Sequence, residues 1–81
     1  MSPSKFKAIR DKLGLKQEEL AQILGLSGKT AVSNIETKVR NPSKLATAIM
    51  SILDEASPRK AKELVDLLRT HVAKIEKDSD A

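Results

Sequence analysis

The stretch Gln17–Asn41, QEELAQILGLSGKTAVSNIETKVRN, decides how the rest of the chain is read. Two short segments with helical apolar spacing flank a turn that contains Gly25 and Gly28. In the first segment Leu20, Ala21, Ile23 and Leu24 supply a buried side, and in the second Val32 and Ile35 are the anchors. Ala21 is small, and a methyl group at a crossing lets two helices approach closely. Gly25 suits the end of the first segment, where a helix commonly closes through a left-handed residue. The second segment presents Ser, Asn, Thr and Lys side chains away from those anchors. The spacing therefore predicts two helices joined by a tight turn, the second showing hydrogen-bonding groups to something outside the chain. Ser27 or Thr30 could cap that second helix.

Outward from this stretch, helix punctuation continues. Each proline follows a good N-cap residue, in Ser2-Pro3, Asn41-Pro42 and Ser57-Pro58. Proline suits the first helical turn, because the N–H it lacks would be unpaired there. A first helix is expected over about residues 3–13, with Phe6, Ile9 and Leu13 inward and Gly14 ending it. A fourth is expected from Asn41-Pro42 to about Leu53, with Leu45, Ile49, Ile52 and Leu53 as its inward stripe. A fifth is expected from Pro58 to about Ile75. Long period-2 alternation is missing, which argues against strands. The fold class is all-α: a compact five-helix bundle with an extended last helix. Residues 1–56 form the core unit, 57–76 the C-terminal helix packing on it, and 77–81 a polar tail expected to fray.

In the last helix Ala61, Val65, Leu68, Val72 and Ile75 are spaced as a heptad seam. Val65, Leu68, Val72 and Ile75 are thus candidate dimer-interface residues. A run this short also fits an amphipathic helix packed only on its own domain. Both readings stand at this point.

Composition removes several function classes. The 81-residue chain has no cysteine and one histidine, so disulfides and thiolate metal sites are excluded and no metal or cofactor is expected. Phe6 is the only aromatic residue, which argues against single-strand nucleic acid stacked on aromatic faces. No apolar run reaches the roughly 20 residues that span a bilayer, and Lys5, Lys7 and Arg10 interrupt the start, so a cytoplasmic protein is expected. Gly28-Lys29-Thr30 is not a phosphate loop, because that motif needs a glycine where Ile23 stands. No catalytic constellation is present, and His71 falls within the periodicity of the last helix. No ligand domain is recognisable, so sensing of a small molecule is not expected.

Charge adds a direction. The net charge is +4, and residues 1–44 hold nine Lys or Arg against four acids, while residues 45–81 hold six against seven. A basic N-terminal half favours a polyanionic partner through phosphate neutralisation.

Residues 17–42 resemble the phage-repressor and Cro type of helix-turn-helix, also called the xenobiotic-response-element family. The matching residues are Arg10, Gln17-Glu18-Glu19-Leu20-Ala21, Gly25-Leu26-Ser27, Val32-Ser33-Asn34-Ile35-Glu36 and Asn41-Pro42-Ser43. The resemblance implies a lambda-repressor-like fold whose third helix enters the major groove of duplex DNA, as a homodimer regulating transcription, more often by repression. It implies that Gln17 touches phosphate and that Arg10 pairs with Glu36. DNA-contact candidates are Gln17, Ser27, Lys29, Thr30, Ser33, Asn34, Thr37, Lys38, Arg40 and Lys44. Asn can read adenine bidentately, Lys can donate to guanine, and the last three cations suit phosphates. The alternative is a protein-interaction module, such as an antitoxin or regulatory subunit, whose partner is another protein.

The chain departs from the family pattern in three places. Four residues, Gly28 to Ala31, separate Ser27 from the next apolar anchor, one more than usual. That extra residue makes Val32 and Ile35 the anchors; without it Asn34 would be buried unpaired, at a cost of about 1–3 kcal/mol. Lys16 stands where a Ser or Thr usually caps the second helix. Lys38 stands where glycine is common.

Overall fold

The computed structural model describes the backbone of residues 1–79 and the side chains of residues 1–76. Among the described residues the chain forms five α-helices: α1 (Pro3–Leu13), α2 (Gln17–Leu24), α3 (Lys29–Glu36), α4 (Lys44–Glu55) and α5 (Pro58–Ser79). The all-α expectation holds. Helix α5 continues through residues 77–79, which were expected to fray, and the last two residues lie outside the described part.

Local chemistry accounts for most of the boundaries. The Ser2 hydroxyl accepts the N–H of Lys5 at 3.1 Å, capping α1, and Ser57 does the same for Lys60 at 3.3 Å at the start of α5. Helix α4 begins two residues later than Asn41-Pro42 suggests, because Ser43 is its cap and accepts the N–H of Ala46 at 3.1 Å. Neither Ser27 nor Thr30 caps α3. Its N-cap is Gly28, in extended backbone and without a side chain to bond. At α2 the main chain of Lys16 donates to the Glu19 carboxylate at 2.9 Å, so Glu19 satisfies one donor that the missing Ser or Thr leaves.

Three helices end in the same way. The N–H of Leu15, Leu26 and Val39 each reaches back five residues, to the carbonyls of Arg10, Ala21 and Asn34. This closure needs a left-handed residue just before the donor. Gly14 (φ 71°) and Gly25 (φ 69°) serve at the first two ends, and Lys38 (φ 68°) at the third. Leu15 and Leu26 fold back onto the core, as the motif favours, whereas Val39 is 73 % exposed.

Phe6, Ile9, Leu20, Ala21, Val32, Ile35 and Met50 make the main core, and Ile23, Leu53 and Val65 a second cluster beside it. Val32 and Ile35 are the anchors of α3, as the longer turn requires, with Ala31 buried next to them. The register of α4 corrects the sequence reading. Ala46, Met50 and Leu53 face inward, while Leu45 is 71 % and Ile52 56 % exposed. In α5 Ala61 and Val65 are buried in the chain's own core, so Val65, expected in a dimer seam, is already occupied there.

Candidate nucleic-acid interface

Helix α3 is held against α1 and α2 by one polar knot. Arg10 Nε donates to Glu36 Oε2 at 2.6 Å and Nη2 to Oε1 at 3.2 Å, while Nη1 donates to the Leu15 carbonyl at 2.9 Å. Gln17 Nε2 donates to Glu36 Oε1 at 3.0 Å. The Arg10 side chain is 12 % and the Glu36 side chain 4 % exposed. Burial, the largest influence on the Glu36 carboxyl, pushes it up; the hydrogen bonds from Arg10 and Gln17 and the charges of Arg10 and Lys7 outweigh it, and the group sits below its ordinary value. The bond to Glu36 raises the Arg10 guanidinium further above its already high value, against burial. Both groups are therefore charged, and the two-pronged geometry fixes the pitch of α3 on its scaffold.

This arrangement explains each participant. Arg10 lies on α1 one residue after the buried Ile9, at the edge of its apolar face. Glu36 ends α3 beside the anchor Ile35. Gln17 is the first residue of α2 and looks across at Glu36. The Arg10–Glu36 pair was expected from the resemblance. The Gln17 bond was not: its side-chain amide, expected on phosphate, is engaged within the chain. The carbonyl of Leu15 as a second partner of Arg10 carries no side-chain signal in the sequence.

The outward face of α3 assembles the other candidates. Lys29 and Thr30 are exposed in its first turn, and Ser33 and Asn34 are half-buried further along. Thr37 is exposed, but its hydroxyl donates to the Ser33 carbonyl at 2.9 Å, which leaves it only as an acceptor or an apolar methyl outward. Ser27 is exposed in the turn before α3, and Lys38 and Arg40 are exposed just after it. Lys44 is exposed at the first position of α4. At the start of α2 the first backbone N–H groups, including that of Gln17, have no partner within the helix by geometry, which makes this end receptive to anions. Lys7 is exposed on α1, and its charge also favours the ionised Glu36.

A second surface lies on α4 and α5. Ile49, Ile52, Leu53, Leu64, Leu67 and Leu68 line an apolar depression of about 150 Å³. Leu45 and Ile75, both exposed, lie on the same two helices. Of the residues expected in a dimer seam, Leu68 lines this depression, Val72 is half-buried, Ile75 is exposed, and Val65 turns to the core.

Among the described residues no helix is long and apolar enough to cross a membrane. A family model described as helix-turn-helix matches residues 6–46, which is α1 to the first turn of α4 and half of the chain. Neither a curated protein nor a solved structure matches the chain. The match spans the Arg10–Glu36 knot, the turn at Gly25 and the outward face of α3, and the chain belongs to the Cro and phage-repressor type of helix-turn-helix family, DNA-binding regulators of transcription.

Proposed function

We propose that the protein binds a specific duplex site as a homodimer and represses transcription there, each protomer inserting α3 into the major groove. The observation that carries this reading is the outward face of α3. Lys29, Thr30, Ser33 and Asn34 lie together on a helix whose pitch is set by a nearly buried ion pair. Base edges in the major groove offer the donors and acceptors that such side chains read. Ser27, Lys38, Arg40 and Lys44 flank that face and suit phosphates, which position the protein without specifying sequence. Gln17 contributes its backbone N–H to a phosphate, its side chain being spent on Glu36.

The second copy is assigned to the α4–α5 surface. Leu45, Ile52, Leu67 and Ile75 are large, apolar and exposed on adjacent helices, an arrangement that monomeric proteins avoid. The dimer would set two copies of α3 about one DNA turn apart, each on a half-site. In this reading Val65 belongs to the scaffold and the interface shifts to the α4-facing edge of α5.

Selection from a pool of random duplexes tests the reading. An enriched site with two related halves and an affinity that drops steeply with salt supports it. The same α4–α5 surface favours the second reading, a protein-interaction module. Failure to retain any duplex at low salt, with the protein folded, would leave that reading in its place.

A further inference from the structure

A cleft of about 420 Å³ opens between α5, the end of α1 and the end of α4. Its size falls within the range of small-molecule sites, about 300–1,000 Å³. The floor is apolar, formed by Leu13, Leu15, Leu53, Ala61 and Val65. Charged side chains also line it: Lys12, Glu19, Lys62, Asp66 and Arg69. Lys12 is engaged by Asp54, its Nζ lying 3.2 Å from the Asp54 carbonyl. Arg69 is less well served. Its side chain is 42 % exposed and its Nη2 stands 3.4 Å from Glu19 Oε2, while its Nε alone is shielded with no hydrogen-bond partner, the one such side-chain atom found among the described residues. A buried donor left unpaired forfeits its hydration and gains nothing in return.

The geometry points to this cleft as a binding site for a small amphipathic monocarboxylate, its apolar body on the Leu13–Val65 floor and its carboxylate on Arg69. A guanidinium fork matches a planar carboxylate, and a modest turn of the Arg69 side chain would give its Nε the acceptor it lacks. Glu19 and Asp66 oppose a second negative charge, so a dianion is disfavoured. The floor draws on three segments distant in sequence and joined only by folding, which is why no ligand site was visible in the sequence. Glu19 also caps α2 through the Lys16 N–H at 2.9 Å. A carboxylate that takes Arg69 from Glu19 therefore acts on the N-terminus of the first helix of the helix-turn-helix.

Amide-resolved NMR titration of the full chain with octanoate, and with 1-octanol as the uncharged control, tests the site without DNA, so its outcome is independent of the DNA reading. Octanoate is expected to saturate, moving the amides of Leu15, Glu19, Val65 and Arg69, with octanol about tenfold weaker or worse. Arg69→Gln should weaken octanoate about tenfold and leave octanol unchanged. Ala56→Phe, which fills the mouth of the cleft, should exclude both. Equal binding of octanoate and octanol, shifts centred on Ile49, Ile52 and Leu67, or octanoate binding that survives both substitutions would overturn the assignment.

Discussion

Between Pro3 and Glu36 no large apolar side chain is exposed, whereas Leu45, Ile52, Leu67 and Ile75 stand out on α4 and α5. The two regions use hydrophobicity differently. In α1–α3 the apolar residues close a core around Phe6, Leu20, Val32 and Ile35, and the polar ones are left for the outside. In α4–α5 Ala46, Met50, Leu53, Ala61 and Val65 fill the inside, and Leu45, Ile52, Leu67 and Ile75 point out. The first region hides its large apolar side chains; the second leaves four of them in solvent.

Substitutions can break this contrast at several depths. The largest effect is expected inside the first region. Glu36→Ala strands a nearly buried Arg10 and should cost about 3–5 kcal/mol, read as a lowered denaturation midpoint. An unchanged midpoint would mean that α3 is held by packing alone. Ile35→Ala, which empties a fully packed anchor, should cost about 2–5 kcal/mol by the same measurement. In the second region Ile52→Ser should behave oppositely. The protomer's own stability should move by about 0.5 kcal/mol or less, while melting loses its dependence on protein concentration.

Acid should act on the first region through Glu36. Its carboxyl sits below the ordinary value in the folded state, so the stability it contributes is fully present above about pH 4.3 and is lost as pH falls through the folded value. Glu36→Gln should remove this part of the acid sensitivity, and the stability gap between it and the parent should narrow below that pH. A gap of constant size down to pH 3 would contradict the depressed carboxyl. Lys38→Gly relieves a left-handed lysine and should stabilise by about 1 kcal/mol while removing a proposed phosphate contact. Gly28→Ser, with open space around the new side chain, should add a cap to α3 worth a few tenths of a kcal/mol.

The contrast also explains what could be read from the sequence. Phe6, Ile9, Leu20, Ala21, Val32 and Ile35 were legible because in α1–α3 apolar spacing and burial coincide. The extra turn residue was legible for the same reason, since only it puts Val32 and Ile35 inward. In α4 the rule held for Leu53 and Ile49 and failed for Leu45 and Ile52, which point outward while Ala46 and Met50 fill the inside. A sequence does not say whether a stripe meets its own chain or another. Val65 was misplaced in the same way: a heptad seam has two edges, and the fold takes one of them. In the candidate site, Arg10–Glu36 was reached through family resemblance, and the basic flank through charge counting. The Gln17 bond to Glu36 was hidden, because it depends on the angle between α2 and α3. Helix α3 lacks a side-chain cap for a reason equally local: the turn uses Gly28 as its last residue before the helix.

In the proposed dimer the apolar residues left outside α4 and α5 cover a second copy, which pairs two outward α3 faces. Light scattering on the eluted protein, repeated for Leu45→Ser/Ile52→Ser/Leu67→Ser, tests it most directly. Twice the chain mass of 8.8 kDa is expected for the parent and the single chain mass for the folded triple variant. A parent that elutes at 8.8 kDa at the same concentration, or a variant that remains paired, contradicts it.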